Sequence, residues 1–257
     1  MPVAHRHTVR GMTVESKFLV LAGTREAISV LNGLADLGVR AVAAVPEPEG
    51  EGPAVPALEH IGRFDGTEHL SAWMTARGIT HVIDAGHPFE AGQSHAAALA
   101  CAQQRVPILR VLRPSWIPET SDKWIDVSGV AEAADQVPKG ARVLANTGRE
   151  TQAGYARFEG EVLFLRRLQP SQDTAPFNFM QYRYDPPPYS EEREADLFEK
   201  LRIDHLIVRN VGGAASRPKL VAARKLGITV LMIRRPDPPD VAHVETADAA
   251  IAWALAR

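Results

Sequence analysis

Short apolar runs alternate with amphipathic stretches along the chain. The run KFLVLA at residues 17–22 precedes Gly23 and Thr24, an amphipathic stretch from Glu26 to Leu37, and a second apolar run, VRAVAAV. This order of strand, tight turn, helix and strand predicts a right-handed parallel βαβ unit. The alternation returns with HLSAWMTARG before HVIDAG and with AGQSHAAALACAQQ before PILRVL. Continuous apolar strands indicate a parallel sheet with both faces covered by helices.

The alternation breaks after Arg113, where RPSWIPETSDKW carries two prolines and two tryptophans. We interpret this stretch as a crossing between domains, because strand and helix patterns resume with ARVLANTG, EVLFLRRL, HLIVRNVGG and TVLMIRRP. We therefore predict an α/β protein of two Rossmann-like open parallel-sheet domains with a ligand cleft between them. The expected boundaries are 16–113 for the N-terminal domain, 114–140 for the crossover segment and 141–257 for the C-terminal domain.

Length and composition agree with this picture. The 257 residues, 45% of them hydrophobic, are enough for two small domains with a core each. A net charge of −2 gives no reason to expect nucleic acid or an anionic membrane as a partner. The single cysteine, Cys101, fits a reducing cytosol. The first segment is polar and basic, unlike a signal peptide, and Met12 is an alternative start. We expect a cytoplasmic protein.

Candidate chemistry lies in the turns after the strands, because open parallel sheets bind ligands outside the carboxyl ends of their strands. After the first strand, Gly23, Thr24, Arg25 and Glu26 combine small side chains, a helix start and charge. Backbone amides and the positive end of a helix dipole at such a turn suit a phosphate. A capped helix start that binds no ligand is the alternative interpretation.

A histidine follows the third clear strand, in the segment DAGHPFEAGQS at residues 84–94. An imidazole at the carboxyl end of a strand can exchange a proton near neutral pH or hydrogen-bond a carboxylate. Asp84 and Pro88 flank the imidazole of His87 and favour such a role. A purely structural histidine is the competing interpretation, and both stay open here.

Two turns of the second half repeat the pattern. ANTGRE places Gly148 and Arg149 after a strand, where a phosphate turn and a plain turn are both open. RNVGGAASRPK places Gly212 and Gly213 after a buried strand, with Lys219 further along. Backbone amides beside a cation suit a phosphate or a carboxylate. We predict a binding loop in this second segment.

Two more segments carry cations. Arg234 and Arg235 end the last strand, where they can bind an anion or pair with a surface acid. We interpret PFNFMQYRYDPPPYSEEREADLF as a loop crossing the cleft, with Arg183, Tyr182 and Tyr184 over a flat ligand. The chain lacks a Ser-His-Asp order, H-E-x-x-H, a Walker A motif and paired metal-binding cysteines. These absences argue against a hydrolase or a metalloenzyme.

Several short motifs follow one another in a fixed order. They comprise Ala22, Gly23, Thr24, Glu26 and Ala27; Gly62, Phe64, Gly66 and Leu70; Asp84, Ala85, His87, Pro88 and Phe89; Arg113, Pro114 and Trp116; Asn210, Gly212, Gly213, Ser216, Lys219 and Leu220; and Arg234 to Pro236. In order and content they resemble the motifs of the precorrin-6A reductase family, which includes the cobalt-precorrin-6A reductases. The resemblance runs from about Phe18 to the C-terminus.

The resemblance implies an NADP-dependent oxidoreductase acting on CH–CH bonds. Hydride transfer from NADPH would reduce a ring-D carbon–carbon double bond of precorrin-6A to give precorrin-6B in cobalamin biosynthesis. We expect this tetrapyrrole as the partner, without nucleic acid or membrane, and contact with neighbouring pathway enzymes is a further expectation. The expected site residues are His87 for catalysis; Gly23, Thr24, Arg25, Glu26, Asn210, Gly212, Gly213 and Ala214 for the cofactor; Phe89, Ser94, Arg113, Trp116, Gly148, Arg149, Ser216, Lys219, Arg234 and Arg235 for the substrate; and no metal ligand.

The chain departs from the family pattern at several positions. Gly86 stands where the family has threonine, Arg209 where it has lysine, and Val211 where it has serine. After the second strand, Pro46, Glu47 and Pro48 replace a common Gly-Arg-Thr. An NAD site carries an acid at this strand end, and Glu47 lies too far along the chain to serve. NADPH is therefore the expected cofactor.

Other functions stay open from the sequence. One is a cobalt-precorrin-6A reductase that uses NADH. Others are a non-reductase Rossmann enzyme, such as a nucleotide-sugar or methyl transferase, and a non-catalytic protein that binds tetrapyrroles or nucleotides. The proton donor is open as well, because His87, solvent and the substrate itself can each serve.

Overall fold

The computed structural model describes residues 16–46, 54–168, 170 and 172–257. The alternative start at Met12 and the departures at Glu47 and Pro48 lie outside the described residues. Within the described ranges, no helix combines the length and the apolar character needed to cross a bilayer.

Strands and helices alternate through the described chain. The strands are β1 Lys17–Ala22, β2 Arg40–Val45, β3 Leu58–Ile61, β4 His81–Ala85, β5 Ile108–Val111, β6 Lys123–Val127, β7 Arg142–Asn146, β8 Val162–Arg167, β9 Met180–Tyr184, β10 His205–Arg209, β11 Thr229–Ile233 and β12 His243–Val244. The α-helices are α1 Arg25–Asp36, α2 Gly66–Arg77, α3 Ala91–Gln104, α4 Val130–Gln136, α5 Glu191–Leu201, α6 Pro218–Leu226 and α7 Ala247–Leu255. A 3-10 helix covers Arg149–Tyr155.

The first sheet is parallel throughout, with the strand order β3-β2-β1-β4-β5-β12. Side chains of β1 point alternately to its two faces, as the pleat requires. Phe18 and Val20 join the core beneath α1 and α7, whereas Leu19 and Leu21 join the core beneath α2 and α3. Because both faces are buried, the strand is apolar at every internal position.

The second sheet repeats this architecture with the order β9-β8-β7-β10-β11-β6, again all parallel. Leu144, Phe164 and Leu206 lie in the core cluster that α5 and α6 cover. Five strands of each sheet thus follow the order of a Rossmann fold, in which ligands bind in the crevice where the strand order reverses. The predicted fold class is confirmed.

The compact units differ from the expected domain boundaries. The first unit holds the chain up to Arg113 together with Pro236–Arg257, and the second is Pro114–Arg235. The expected crossover 114–140 contains β6 and α4, and β6 pairs with β11 of the second sheet. The final residues, expected in the C-terminal domain, supply β12 and α7 to the first unit. Local patterning predicts a helix at the C-terminus but carries no signal for the sheet that it covers.

The segment that was expected to be a loop crossing the cleft contains a strand. Met180–Tyr184 form β9, the edge strand beside β8. Met180 is its one buried residue, and the four that follow, Gln181 to Tyr184, all carry polar groups and are partly or fully accessible. An edge strand is paired on one side only, so its sequence lacks the continuous apolar run that identified the central strands.

Ala250 and Ala252 test the assignment of α7 to the first sheet. Ala250 is fully buried in the first core, whereas Ala252 on the same helix is exposed. We expect Ala250→Asp to lower the free energy of unfolding by about 3 kcal/mol, because a carboxylate would enter an apolar core. Ala252→Asp should change it by less than about 0.5 kcal/mol. Urea unfolding measures both, and equal effects would contradict the packing of α7.

Candidate functional site

Each sheet has one point where the chain order of its strands reverses, between β1 and β4 in the first sheet and between β7 and β10 in the second. The turns after these strands lie at the carboxyl edge, meaning the edge of the sheet at which the parallel strands end. Ligands of open α/β sheets bind in the crevice at such a switch point.

At the first switch point, the turn after β1 approaches the turn after β4 closely. A Cβ atom on Gly23 would lie 2.9 Å from the backbone nitrogen of His87, closer than real Cβ contacts allow. Thr24 joins the same two turns, because its Oγ1 donates to the carbonyl of Ala85 (2.9 Å) and accepts from the amide of Ala27 (3.3 Å). The structure thus brings together a predicted cofactor residue and the predicted catalytic residue.

His87 lies in a cavity at the ends of β1, β2 and β4. Its Nδ1 accepts a hydrogen bond from the amide of Phe89 (3.2 Å), so Nε2 carries the proton of the neutral ring. The cavity, which includes Asp84, Gln93 and Ser94 in its lining, holds about 400 Å³ of space with its open mouth. The neutral imidazole of His87 therefore has its acceptor at Nδ1 and its N–H at Nε2.

A buried ion pair supports the turn that carries His87. Arg110 of β5 donates to the carboxylate of Asp84, its register partner on β4, and to Oγ of Ser94 on α3. Arg110 and Asp84 are each only 2% exposed. The other carboxylate oxygen of Asp84 accepts from the amide of Gly86 (3.0 Å). Ser94, expected to bind substrate, bonds Arg110 instead of standing free, and its contact with substrate stays a prediction.

Arg110 was not among the site residues predicted from the sequence. Its signal was available, because a charged residue interrupts the apolar run ILRV at the end of a central strand. A fully buried arginine requires a buried acid partner, and Asp84 was the acid at the end of the adjacent predicted strand. The sequence does not show that β4 and β5 are adjacent strands, because adjacency follows from the sheet order.

Glu26 and Arg113 form a second ion pair of the first unit. Both carboxylate oxygens of Glu26 accept from Nη1 of Arg113 at 2.9 Å. Burial raises the pKa of Glu26, but hydrogen bonds from its own amide and from Arg113 hold that pKa below the ordinary value. Glu26 was predicted to bind cofactor and Arg113 to bind substrate. The structure brings the two together, and their contacts with ligands stay predictions.

At the second switch point, Gly148 begins the turn after β7 with a φ of 90°. A Cβ there would lie 2.7 Å from a carboxylate oxygen of Glu150, whose carboxylate also pairs with Arg209 at the end of β10 (3.1 Å). Arg149 makes a longer, exposed pair with Asp173 (3.6 Å). The plain-turn and phosphate-turn interpretations of this segment both stay predictions.

The glycine loop after β10 is held by three side chains. The amide of Asn210 accepts from the backbone nitrogen of Trp116 (2.8 Å) and donates to its carbonyl (3.0 Å). The indole Nε1 of Trp116 donates to the carbonyl of Gly213 (2.8 Å). Arg235 donates to the carbonyl of Asn210 (2.7 Å). Gly212 has a φ of 68°, and a Cβ on it would collide with the carbonyl of Pro114. These residues shape the loop, and their ligand contacts stay predictions.

Lys219 lies inside the protein behind this loop. Its Nζ donates to the carbonyl of Ser216 (2.6 Å) and lies 5.7 Å from the ring centroid of Trp116. Burial lowers the pKa of Lys219 to about 8, because the charged ammonium is poorly solvated there. The remaining predicted residues Arg25, Ala214 and Arg234 are exposed. Among the described residues no cluster of three or more His, Cys, Asp or Glu side chains could hold a metal ion.

Comparisons with known proteins decide the family. Residues 17–255 match the model of precorrin-6x reductase CbiJ/CobK. The chain belongs to this family. The chain is 32% identical to a precorrin-6A reductase of Rhodobacter capsulatus, covering 93% of this chain and 95% of the relative. It is 34% identical to that of Rhodococcus erythropolis, covering 93% and 97%.

A solved structure supports the same conclusion. CobK precorrin-6A reductase superposes with a TM-score of 0.84 at 32% identity, covering 93% of this chain and 95% of the other. Cobalt-precorrin-6A reductases also match, at 24% to 26% identity. The predicted family is confirmed, and the protein is an oxidoreductase of a kind that needs a nicotinamide cofactor.

Gly23 provides a test of the first switch point. We expect Gly23→Ala to lower the free energy of unfolding by about 1–3 kcal/mol, because the new methyl group would push the turn of His87 away. Gly92→Ala on α3 is the matched control, since a Cβ there meets nothing within 4 Å. That control should be neutral or stabilising by up to about 1 kcal/mol. Equal stability of the two variants in urea would contradict the close approach.

Proposed function

We propose that this protein is a precorrin-6A reductase that uses NADPH to reduce a ring-D carbon–carbon double bond of precorrin-6A, giving precorrin-6B in cobalamin biosynthesis. Family membership and relatives at 32% and 34% identity over nearly the whole chain support the reaction. The single structural observation that carries the proposal is the contact of the Gly23 turn with the turn of His87. This contact supports the proposal, because the Gly23 turn suits a phosphate and the imidazole of His87 can exchange a proton.

The first switch point fits a nicotinamide dinucleotide. Gly23 is exposed and has no Cβ, so its backbone stays accessible to a pyrophosphate. Thr24 caps α1, and the first amides of that helix point towards the same place. When bound, the nicotinamide ring supplies the hydride. The protein contributes position, electrostatics and exclusion of water.

Two features favour NADPH over NADH. The described end of β2, through Pro46, carries no acid that could hold the ribose hydroxyls of NADH. Arg25 is exposed at the first position of α1 and has no ion pair within the described chain. An arginine there can bind a phosphate with a charge-assisted hydrogen bond. We assign Arg25 to a phosphate of the cofactor.

His87 is our candidate for the proton donor. Reduction of a carbon–carbon double bond requires a proton at the carbon next to the one that accepts hydride. The Phe89 amide donates to Nδ1 of the ring, so the proton that we assign to the donation step is the one on Nε2. Solvent or the substrate itself is the alternative donor.

The substrate carries several carboxylates, so it needs cations and amides. The substrate residues that we propose share a position at or near a carboxyl edge: Phe89, Ser94, Arg113, Trp116, Gly148, Arg149, Ser216, Lys219, Arg234 and Arg235. Glu26, Asn210, Gly212, Gly213 and Ala214 remain proposed cofactor contacts. We place the enzyme in the cytoplasm because its one cysteine, Cys101, is a buried free thiol, and we propose contact with neighbouring pathway enzymes.

The direct test mixes purified protein with NADPH and metal-free precorrin-6A and follows NADPH absorbance. Oxidation that needs both protein and substrate supports the proposal. Parallel reactions with NADH and with cobalt-precorrin-6A measure the two preferences as ratios of kcat/KM. Tight binding of both ligands without oxidation would show a non-catalytic binding protein instead.

Replacement of His87 tests the proton donor. We expect His87→Gln to lower kcat about 100-fold or more, the usual loss when a general acid is removed. The NADPH Kd should stay within about twofold of the wild type, because glutamine keeps a side-chain acceptor near the Phe89 amide. Steady-state kinetics and a fluorescence titration give the two values. A wild-type kcat would assign proton donation to solvent or substrate.

Replacement of Arg25 tests the preference for NADPH. We expect Arg25→Gln to raise the KM for NADPH about fivefold to tenfold, as loss of one exposed charge-assisted contact would. Arg40→Gln is a control, since Arg40 is also exposed but begins β2 at the opposite edge of the sheet. Its KM should match the wild type. If the KM for NADPH does not change in Arg25→Gln, the assignment of Arg25 to a cofactor phosphate is wrong.

A further inference from the structure

The loop after β3 carries an arginine to the carboxyl edge of the first sheet, beside the end of β2. The strand β3 lies next to β2 in the sheet. The backbone amide of Gly62, the first residue after β3, donates to the carbonyl of Val45, the last residue of β2 (2.9 Å). Gly62 has a φ of 110°, which favours glycine at this position. Arg63 therefore lies one residue beyond a bond that ties the two strand ends together.

This loop is fixed to the beginning of α3. The side-chain amide of Gln93 accepts from the backbone amide of Phe64 (3.1 Å) and donates to its carbonyl (2.9 Å). Phe64 is buried, and its ring stacks on that of His60 with the centroids 4.2 Å apart. These contacts hold the backbone on either side of Arg63, whereas the side chain of Arg63 is 57% exposed. The position of the guanidinium is thus set by a rigid loop.

A carboxylate from the next turn of the same edge pairs with Arg63. The Nε and Nη2 atoms of Arg63 donate to the two carboxylate oxygens of Glu90, at 3.0 and 2.6 Å. Glu90 directly precedes α3, but its side chain makes no capping hydrogen bond to that helix. Both side chains line the cavity that contains His87. Because an exposed ion pair adds little stability, the fold does not depend on this pair.

The wall of the cavity at the end of β2 has few other sources of positive charge. NADPH differs from NADH by a phosphate on the adenosine ribose, and a Rossmann site recognises that ribose near the end of its second strand. Residues 46–53, which follow β2 in the sequence, include three glutamates and neither lysine nor arginine. Among the described residues that line the cavity, Arg63 alone carries a guanidinium or an ammonium group. A cation for this phosphate is therefore available from the loop after β3.

We propose that Arg63 selects NADPH over NADH by binding the phosphate on the adenosine ribose, and that Glu90 competes with this phosphate for the same guanidinium. A phosphate accepts from the same fork of two N–H groups as a carboxylate does. Glu90 holds the guanidinium before the cofactor binds, and the phosphate replaces the carboxylate afterwards. The inference rests on the proposed function, because it requires a dinucleotide in this cavity. Arg25 belongs to a different turn, after β1, and its assignment does not depend on this one.

The experiment measures the Kd of NADP⁺ and the Kd of NAD⁺ by isothermal titration calorimetry, because the two ligands differ only in that phosphate. We expect Arg63→Gln to raise the NADP⁺ Kd about tenfold, as loss of a charge-assisted contact would, and to leave the NAD⁺ Kd within about twofold of the wild type. Arg63→Lys should fall between, because it keeps the charge and loses the planar fork. Glu90→Gln should lower the NADP⁺ Kd about twofold to fivefold, because an exposed ion pair no longer has to break.

The double variant Arg63→Gln/Glu90→Gln separates competition from a general change in charge. Its NADP⁺ Kd should match that of Arg63→Gln, because no guanidinium remains for the carboxylate to occupy. Arg40→Gln is the control for loss of a cation, since Arg40 is exposed at the opposite edge of the sheet, and both of its Kd values should match the wild type.

Each part of the inference has its own contrary result. If Arg63→Gln raises both Kd values equally or changes neither, Arg63 does not read the phosphate. If the double variant binds NADP⁺ more tightly than Arg63→Gln does, Glu90 acts through its charge and not by competition. Wild-type protein that binds neither dinucleotide would refute the proposed function and this inference together, whereas binding without the expected effects of the variants would refute the inference alone.

Discussion

The parallel pairing of β1 with β4, and of β7 with β10, is the constraint on which the described sites depend. Parallel strands in register end at one edge, so turns that are distant in sequence become neighbours in space. At the first switch point the neighbours are so close that only a residue without Cβ fits at Gly23. The position of His87 beside the Gly23 turn follows from this pairing, and the sequence around the histidine does not show it.

Buried arginine–carboxylate pairs hold the carboxyl edges in both units. Arg110 bonds Asp84 across adjacent strands of the first sheet, and Arg166 bonds Glu194 between strand and helix in the second. Removing one partner of such a pair is strongly destabilising, because a buried charge is left alone. Each pair therefore fixes a buried arginine of its own sheet against a carboxylate from a neighbouring element.

The two units share the order of five strands, but the sixth strand of each sheet comes from a different part of the chain. The first takes its sixth strand from the end of the chain, and the second takes its own from the segment just after the break at Arg113. Both junctions between the units are Arg-Pro steps, at Arg113 and Arg235. Each arginine is bonded within its own unit, Arg113 to Glu26 and Arg235 to the carbonyl of Asn210. The chain is thus anchored where it leaves each sheet.

By itself, the sequence determined the fold class, the central strands, the turns that follow those strands and the family. Those properties follow from apolar runs, glycines and motif order, which are local in the chain. Only the tertiary structure decided that the last helix covers the first sheet, that residues 180–184 form an edge strand, and that Ser94 bonds Arg110. It also decided that Arg110 pairs with Asp84 and Arg166 with Glu194. Sheet order and side-chain pairing bring together residues that are far apart in the chain. A local sequence pattern does not show which of these distant residues meet.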